Sequence, residues 1–203
     1  MSQITTAEQL RAKLAEPNPL TRAKLRTALD AQARDFIARS PFLLLATCNE
    51  DGTLEVSPKG DVPGFVHAED DRTLLVPDRA GNNLAFGLTN VLRDPQVGLI
   101  FLLPGTGETL RVSGTATIHD DADLCERLSA RGAPAKLVIR IAVTRTFFHC
   151  AKALLRSGLW TPEAWPEPMK VSFGRILAEA RPGIGATADQ IDARVAEGYR
   201  TTL

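Results

Sequence analysis

The sequence predicts a mainly β (α+β) fold, an antiparallel β-barrel with peripheral helices. Six or seven short runs are either apolar throughout or alternate between apolar and polar residues, and turn residues join them as in hairpins. Helical spacing occurs between only some of these runs, so a doubly wound parallel sheet is not expected. With 203 residues, of which 44% are hydrophobic and 24% are charged, the chain suits one domain with appendages.

The strands are predicted from apolar or alternating runs that end at turn residues. FLLLATC is apolar, and the turn NEDG, whose glycine supplies a positive φ, leads into the returning strand TLEVSPKG. LLV is a short buried run that stops at Pro77, and KLVIRIAVTRTFFH alternates over a long stretch. The predicted strands cover residues 42–48, 53–60, 65–68, 73–76, 96–104, 109–120 and 136–149.

The helices are predicted from apolar residues at helical spacing and from residues that end helices. An amphipathic pattern begins at Leu20 and ends before Pro41, because the residue that precedes a proline avoids the helical region. In the tail, Thr187 and Gln190 fit a capping box at the start of a last helix. The predicted helices cover residues 20–39, 82–95, 120–132 and 149–160, and two more follow residue 170.

These elements divide the chain into three parts. Residues 1–40 are expected to form an N-terminal helical extension, and residues 41–160 to form the barrel domain. Residues 161–203 are expected to form a loop broken by prolines and then helices that pack on the barrel or on a partner subunit.

Composition and charge exclude several classes of function. Lys plus Arg equals Asp plus Glu, so the zero net charge argues against a nucleic-acid binder. The apolar runs are too short to span a bilayer, and no apolar leader is present, so no membrane contact is expected. The three cysteines have no paired spacing, which favours a reducing, cytoplasmic compartment. The histidines and cysteines never reach a metal-ligand spacing, so no metal is expected.

The stretch LLVPDRAGNN (74–83) has the residue types of an anion site. Arg79 can offer a bidentate fork to a phosphate, and Gly81 lets the backbone approach closely. Asn82, Asn83 and the free N–H groups of the helix predicted to start there can also donate, and Lys59 of the nearby PKGD segment adds a second cation. The alternative is an ordinary helix cap, with Arg79 solvated or paired to the adjacent aspartate.

The segment HCAKALLRSGLW (149–160) has a second concentration of cations. If it is helical, His149, Lys152 and Arg156 share one face and form a positive strip that can meet a phosphate or an anionic substrate. The alternative is a solvated basic face with Trp160 packed on the core. By contrast, PGTGET (104–109) lacks the Gly-Lys-Ser/Thr of a phosphate loop and is predicted to be a hairpin turn.

Five segments follow one another in a specific order: VSPKGD, LLVPDRAGNN, NVLRDPQVGLIFLLPG, ETLRVSGTATI and FHCAKALLRSGLW. Over roughly residues 35–160 this order resembles the pyridoxamine 5′-phosphate oxidase-like class of FMN-binding split-barrel proteins. In that class a turn with Arg or Lys and a helix precede a D/N-P-x-V/A-x-L-x-F strand and an R-V-x-G strand, here DPQVGLIF and LRVSG. The chain is most similar to an FMN-dependent subgroup with PDRxGNN, PGxGETLRVxG and FHCxKAxxRSxLW.

The resemblance implies a homodimer of six-stranded split barrels, with FMN in the clefts between the subunits. It implies that Arg79 and Asn82 bind the FMN phosphate, with Asn83 and Lys59 as helpers. The other residues expected at the cofactor are Val56, Ser57 and Pro58 beside the flavin ring, Thr109 and Arg111 on a facing strand, and Lys152, Arg156 and Trp160 in the last segment.

The implied activity is an FMN-dependent oxidoreduction, with hydride transfer at flavin N5 to or from a small-molecule substrate that the sequence does not identify. Two departures argue against formation of pyridoxal phosphate: VSPKG stands in place of an R-x-V-L-L-K strand, and a C-terminal R-L-H-D-R segment is missing. A non-catalytic flavin, deazaflavin or haem carrier is the alternative, with His149 as the candidate haem ligand. No general base stands out, so the catalytic residues are unknown.

Overall fold

The computed structural model describes residues 2–183 and 185–201. Its strands are β1 Phe42–Cys48, β2 Leu54–Gly60, β3 His67–Ala68, β4 Thr73–Asp78, β5 Gln96–Leu102, β6 Thr109–His119 and β7 Leu137–His149. Its helices are α1 Ala7–Arg11, α2 Pro19–Ala23, α3 Ala31–Arg39, α4 Phe86–Arg93, α5 Ala122–Arg127, α6 Lys152–Ser157, α7 Phe173–Ala180 and α8 Ala188–Thr201.

All strands belong to one antiparallel sheet with the order β2-β1-β5-β6-β7-β4-β3. The sheet has seven strands and not the six that the family resemblance implied, because the two-residue strand β3 pairs with β4 at one edge. The predicted pairing of β1 with β2 is confirmed, and Gly52 in their turn has a φ of 82°. The antiparallel fold class is therefore the one that the alternating runs predicted.

Two ion pairs show that the sheet curls. Lys59 of β2 pairs with Asp78 of β4, although these strands lie near opposite ends of the sheet. Immediately after each strand, Asp61 pairs with Arg79 at 2.8 Å. The inward side chains of β1, β4, β5, β6 and β7 form one buried cluster with α3 and α4, so the curled sheet encloses the core.

The predicted helix over residues 20–39 is wrong in its middle. Two helices, α2 and α3, are separated by an extended segment in which Arg26 exchanges two backbone hydrogen bonds with Thr146 of β7, at 2.9 and 2.8 Å. Asp30 then caps α3 by accepting a hydrogen bond from the Ala33 N–H at 2.8 Å. The segment leaves the helical conformation because it pairs with the free edge of β7.

The two C-terminal helices pack against each other. The carboxylate of Asp192 in α8 accepts hydrogen bonds from the Ser172 hydroxyl at 2.6 Å and from the Gly174 N–H at 2.8 Å. The predicted capping box of Thr187 and Gln190 is confirmed by reciprocal bonds of 3.3 and 2.9 Å. No helix within residues 2–183 and 185–201 is long and apolar enough to cross a bilayer.

A β-bulge between β6 and β7 makes Gly114 a sensitive position. A Cβ on Gly114 would lie 2.3 Å from the Ala142 carbonyl oxygen, which is backbone and moves little. We expect Gly114→Ala to lower the free energy of unfolding by about 1–3 kcal/mol in urea denaturation, as overpacking does. Gly98→Ala in β5 is the matched control, because its Cβ would meet nothing closer than the Ala46 Cβ at 3.9 Å. Equal effects of the two substitutions would contradict the steric argument.

Candidate functional site

Arg79 occupies the position directly after β4 and is only partly exposed. Its Nε donates to the Asp61 carboxylate at 2.8 Å, and Nε of Arg131 lies 3.7 Å from the other oxygen of the same carboxylate. The Asp61 side chain is only 6% exposed, so the carboxylate holds Arg79 in place from within the protein. The Nη1 atom of Arg79 is buried and has no hydrogen-bond partner within the described residues.

Beside this arginine lies a cavity of about 470 Å³, which we call the Arg79 cavity. Its charged lining residues are Arg79, Arg131, Lys136 and Asp61, so three cations face one carboxylate. Lys136 forms no ion pair in the part of the chain that the structure describes. Excess positive charge and a rigid guanidinium with an unmet donor are the features of a phosphate site.

Lys59 and Asn82 lie in a separate, smaller pocket of about 110 Å³, which Ser57 and Glu55 also line. Lys59 pairs with Asp78, and the Asn82 amide is 3.4 Å from the same carboxylate. The Lys59 and Asp78 side chains are 11% and 6% exposed, so the lysine charge is compensated inside the protein. With Glu55 in the lining, this pocket has no excess of positive charge.

The helix after LLVPDRAGNN begins later than the sequence predicts. α4 starts at Phe86, and Ala85 before it has a left-handed conformation with a φ of 51°. Asn82 and Asn83 therefore lie in the loop, and the prediction that the helix starts at 82–85 is wrong. The Asn83 N–H instead donates to the Gly81 carbonyl at 3.0 Å.

The outer face of the sheet has an apolar groove of about 360 Å³, which we call the outer groove. Leu44, Val56, Ile100 and Phe147 are among its apolar lining residues, and its charged lining residues are Arg111 and Arg145. The Arg111 guanidinium carbon is 5.9 Å from the centroid of the Phe147 ring. Val56 is 51% exposed, so a large apolar surface is open there.

The outer groove and the Arg79 cavity follow the same pair of strands. β2 alternates, so that Val56 and Pro58 face outward and Ser57 and Lys59 face inward. Val56 lines the groove and Gly60 lines the cavity, and the two residues are four positions apart along the strand, about 13 Å. An elongated molecule with a flat ring at one end and a phosphate at the other matches this arrangement.

The remaining predicted residues lie at the end of the sheet where β6 begins and β7 ends. Thr109 pairs with His149, the last residue of β7, and Lys152 and Arg156 are exposed on α6. His149 is thus a strand residue, and the prediction that it belongs to a helix with the two cations is wrong. Trp160 donates from Nε1 to the Thr106 carbonyl at 2.8 Å and holds the PGTGET turn. None of these residues lines the Arg79 cavity or the smaller pocket that contains Lys59 and Asn82.

Sequence reasoning missed Arg131 and Lys136. Both lie in the loop between α5 and β7, more than fifty residues from Arg79 along the chain. The loop reaches the cavity because the Lys136 N–H donates to the Asp78 carbonyl at 3.0 Å, next to the start of β7. Arg131 also has a φ of 53°, an uncommon value for a residue with a side chain. No local motif predicts this convergence.

The chain shows similarity to known proteins at the level of a family and of solved structures. HupZ from Group A Streptococcus matches with 19% identity over 59% of this chain and 93% of its own, at a TM-score of 0.49. A relative of general stress protein 26 from Clostridium acetobutylicum matches with 13% identity over 59% and 86%, at 0.47. An FMN-binding protein from Syntrophomonas wolfei matches with 12% identity over 70% and 95%, at 0.44. These similarities are too weak to indicate a shared activity.

No curated protein matches the chain significantly. No group of three or more His, Cys, Asp or Glu residues suited to a metal ion occurs where the structure is described. The sequence profile of pyridoxamine 5′-phosphate oxidase matches residues 29–150, which include all seven strands of the sheet. This match covers more than half of the chain, and the chain therefore belongs to the pyridoxamine 5′-phosphate oxidase family.

Proposed function

We propose that this protein is an FMN-binding oxidoreductase that acts on a small molecule as a homodimer. The observation that carries the proposal is the positively charged Arg79 cavity, which lies on the same strand pair as an open apolar groove. FMN has a phosphate at one end and a flat aromatic ring system at the other. Membership of the family and the length of the arrangement both support this cofactor.

The FMN phosphate is assigned to the Arg79 cavity. There Arg79 offers the buried Nη1 that lacks a partner, and Arg131 and Lys136 add charge. Asp61 keeps the guanidinium oriented, so the side chain loses less conformational entropy when the phosphate binds. Lys59 and Asn82 lie in the neighbouring pocket, where both contact the Asp78 carboxylate. They are therefore not assigned as direct ligands of the phosphate.

The flavin ring is assigned to the outer groove. Val56 lines the groove, and Pro58 faces outward two residues further along β2. Arg111 is held beside the groove by its contact with Phe147. When bound, FMN would supply hydride transfer at its N5 atom. The chain itself would cover one face of the ring with apolar side chains and place a cation, Arg111, near the ring.

A second subunit is expected to cover the other face of the ring. Val56 and Phe42 are 51% and 37% exposed on this surface, and an open apolar surface of this kind favours a protein partner. The exposed cations Lys152 and Arg156 lie outside the Arg79 cavity of their own chain. In a homodimer they are free to contact a cofactor that is bound mainly by the partner subunit.

One pair of substitutions tests the position of the phosphate. We expect Arg131→Gln to weaken FMN binding roughly fivefold, since an exposed cation contributes up to about 1 kcal/mol. We expect Asn82→Ala to change the affinity less than about twofold, because its amide serves Asp78. Flavin fluorescence titration measures the FMN dissociation constants of both variants. A larger loss with Asn82→Ala would move the phosphate into the smaller pocket.

The function as a whole is tested by absorption spectroscopy of the purified protein with FMN and then with NADH or NADPH. Flavin bands that bleach with a pyridine nucleotide would support an FMN oxidoreductase. Bound flavin that is not bleached by NADH, NADPH or any other small-molecule reductant would indicate a carrier. Absence of FMN binding would overturn the proposal and favour a deazaflavin or haem carrier, which the same spectra with those cofactors would reveal.

A further inference from the structure

The second half of β7 has an edge that β4 does not cover. β4 pairs with β7 only from Leu137 to Ala142. Beyond that point the extended segment between α2 and α3 lies along the edge, where Arg26 and Thr146 exchange two backbone hydrogen bonds. The N-terminal segment thus forms one wall of a space whose other wall is β7.

That space is a pocket of about 160 Å³, which we call the Thr146 pocket. Lys24, Arg26 and Asp30 are its charged lining residues, and Thr146, Phe147 and Phe148 line it from β7. One oxygen of Asp30 is already used, because it caps α3 at 2.8 Å. Neither Lys24 nor Arg26 has an ion pair in the described residues, so the pocket has an excess of positive charge.

The Thr146 side chain is the second observation that points to a ligand. The residue is 2% exposed, and its hydroxyl is buried without a hydrogen-bond partner among the described residues. A buried hydroxyl that makes no hydrogen bond is unfavourable, and valine would fill the same space without that cost. An oxyanion in the pocket would accept a hydrogen bond from the hydroxyl and contact both cations.

Phe147 connects this pocket to the outer groove. Phe147 lines both spaces, and the Lys24 ammonium lies 5.6 Å from its ring centroid and the Arg111 guanidinium carbon 5.9 Å from it. A molecule anchored in the Thr146 pocket can therefore extend past one aromatic ring into the groove. A volume of about 160 Å³ suits a single anionic group and not a whole cofactor.

We propose that the Thr146 pocket binds the carboxylate or phosphate group of the small-molecule substrate, and that the reacting part of that substrate lies in the outer groove. Lys24 and Arg26 supply charge, and the Thr146 hydroxyl supplies an oriented hydrogen bond. The second part of this inference rests on the proposed position of the flavin ring. The first part, an oxyanion site formed by the N-terminal segment and β7, is independent of it.

The experiment uses the full-length protein, with inorganic phosphate and acetate as separate probes and backbone amide NMR shifts as the readout. Shifts at residues 24–33 and 146–148 report the Thr146 pocket, and shifts at residues 79–81 and 130–136 report the Arg79 cavity. We expect saturable shifts at the first set with at least one probe, and the tighter probe identifies the anionic group. Absence of such shifts with both probes would overturn the inference.

Substitutions then separate binding from folding. Thr146→Val is expected to weaken the probe at the first set of amides about tenfold or more, as loss of a hydrogen bond to a charged group does, while the melting temperature stays equal or rises. Arg26→Gln should weaken it as well, and the exposed Arg34→Gln, outside the pocket, is the control. Unchanged affinity in Thr146→Val would overturn the role of the hydroxyl. If the amides of the first set respond to a probe but FMN does not bind, the oxyanion site is supported and its link to flavin chemistry is contradicted.

Discussion

Arg79→Ala is expected to weaken FMN binding by roughly 10- to 150-fold, since a hydrogen bond to a charged group is worth about 1.5–3 kcal/mol. The reason is geometric as well as electrostatic. Asp61 fixes the guanidinium through Nε at 2.8 Å, so the remaining nitrogens are oriented before the phosphate arrives. Flavin fluorescence titration of the purified variant gives the dissociation constant directly.

Two further variants make this result interpretable. Arg79→Lys keeps the charge but loses the fork, so we expect an intermediate affinity that isolates the contribution of bidentate geometry. Arg34→Ala on the exposed face of α3 removes a cation far from the cavity lining and should leave the affinity unchanged. Circular dichroism must show that each variant is folded, because Arg79→Ala leaves the 6%-exposed Asp61 with Arg131 as its one remaining cation among the described residues. Parental affinity in folded Arg79→Ala would exclude the phosphate from this cavity.

The strands could be predicted because their pattern is local. After the exposed Phe42, β1 alternates between buried and half-buried residues in the structure, and its boundaries are those predicted. β4 was predicted to stop at Pro77 and instead continues to Asp78. Pro77 is tolerated there because β3 pairs only with Leu74 and Leu75, so the missing N–H faces no partner strand. That tolerance depends on a neighbour that the local sequence does not reveal.

The candidate site was predictable only in part, for a similar reason. Arg79 stands in a turn whose residue types indicate anion binding by themselves. The charge balance around it depends on Asp61 and Asp78, which compensate cations far from them in sequence, and on Arg131, which arrives from a distant loop. These contacts exist because the sheet curls, and no spacing in the chain encodes them. The separation of Lys59 from Arg79 into two pockets follows from the same curling.

Breaking the ion pair between Lys59 and Asp78 should be one of the most destabilising single changes in the protein. The pair joins β2 to β4 across the curled sheet, with side chains 11% and 6% exposed. Removal of one partner leaves a charge in a poorly solvated place, which costs about 3–5 kcal/mol. We therefore expect Lys59→Met and Asp78→Leu each to lower the free energy of unfolding by about that amount in urea denaturation.

The double variant Lys59→Met/Asp78→Leu separates the value of the pair from the cost of breaking it. Two apolar side chains leave no unpaired charge, so we expect the double variant to recover most of the stability that either single change removes. Asp35→Asn is the control, because its pair with Arg39 at 3.0 Å is more than half exposed and contributes at most about 1 kcal/mol. Single variants no less stable than this control would mean that apolar packing alone holds β2 against β4. Additive losses in the double variant would instead mean that each side chain contributes through contacts other than their mutual pair.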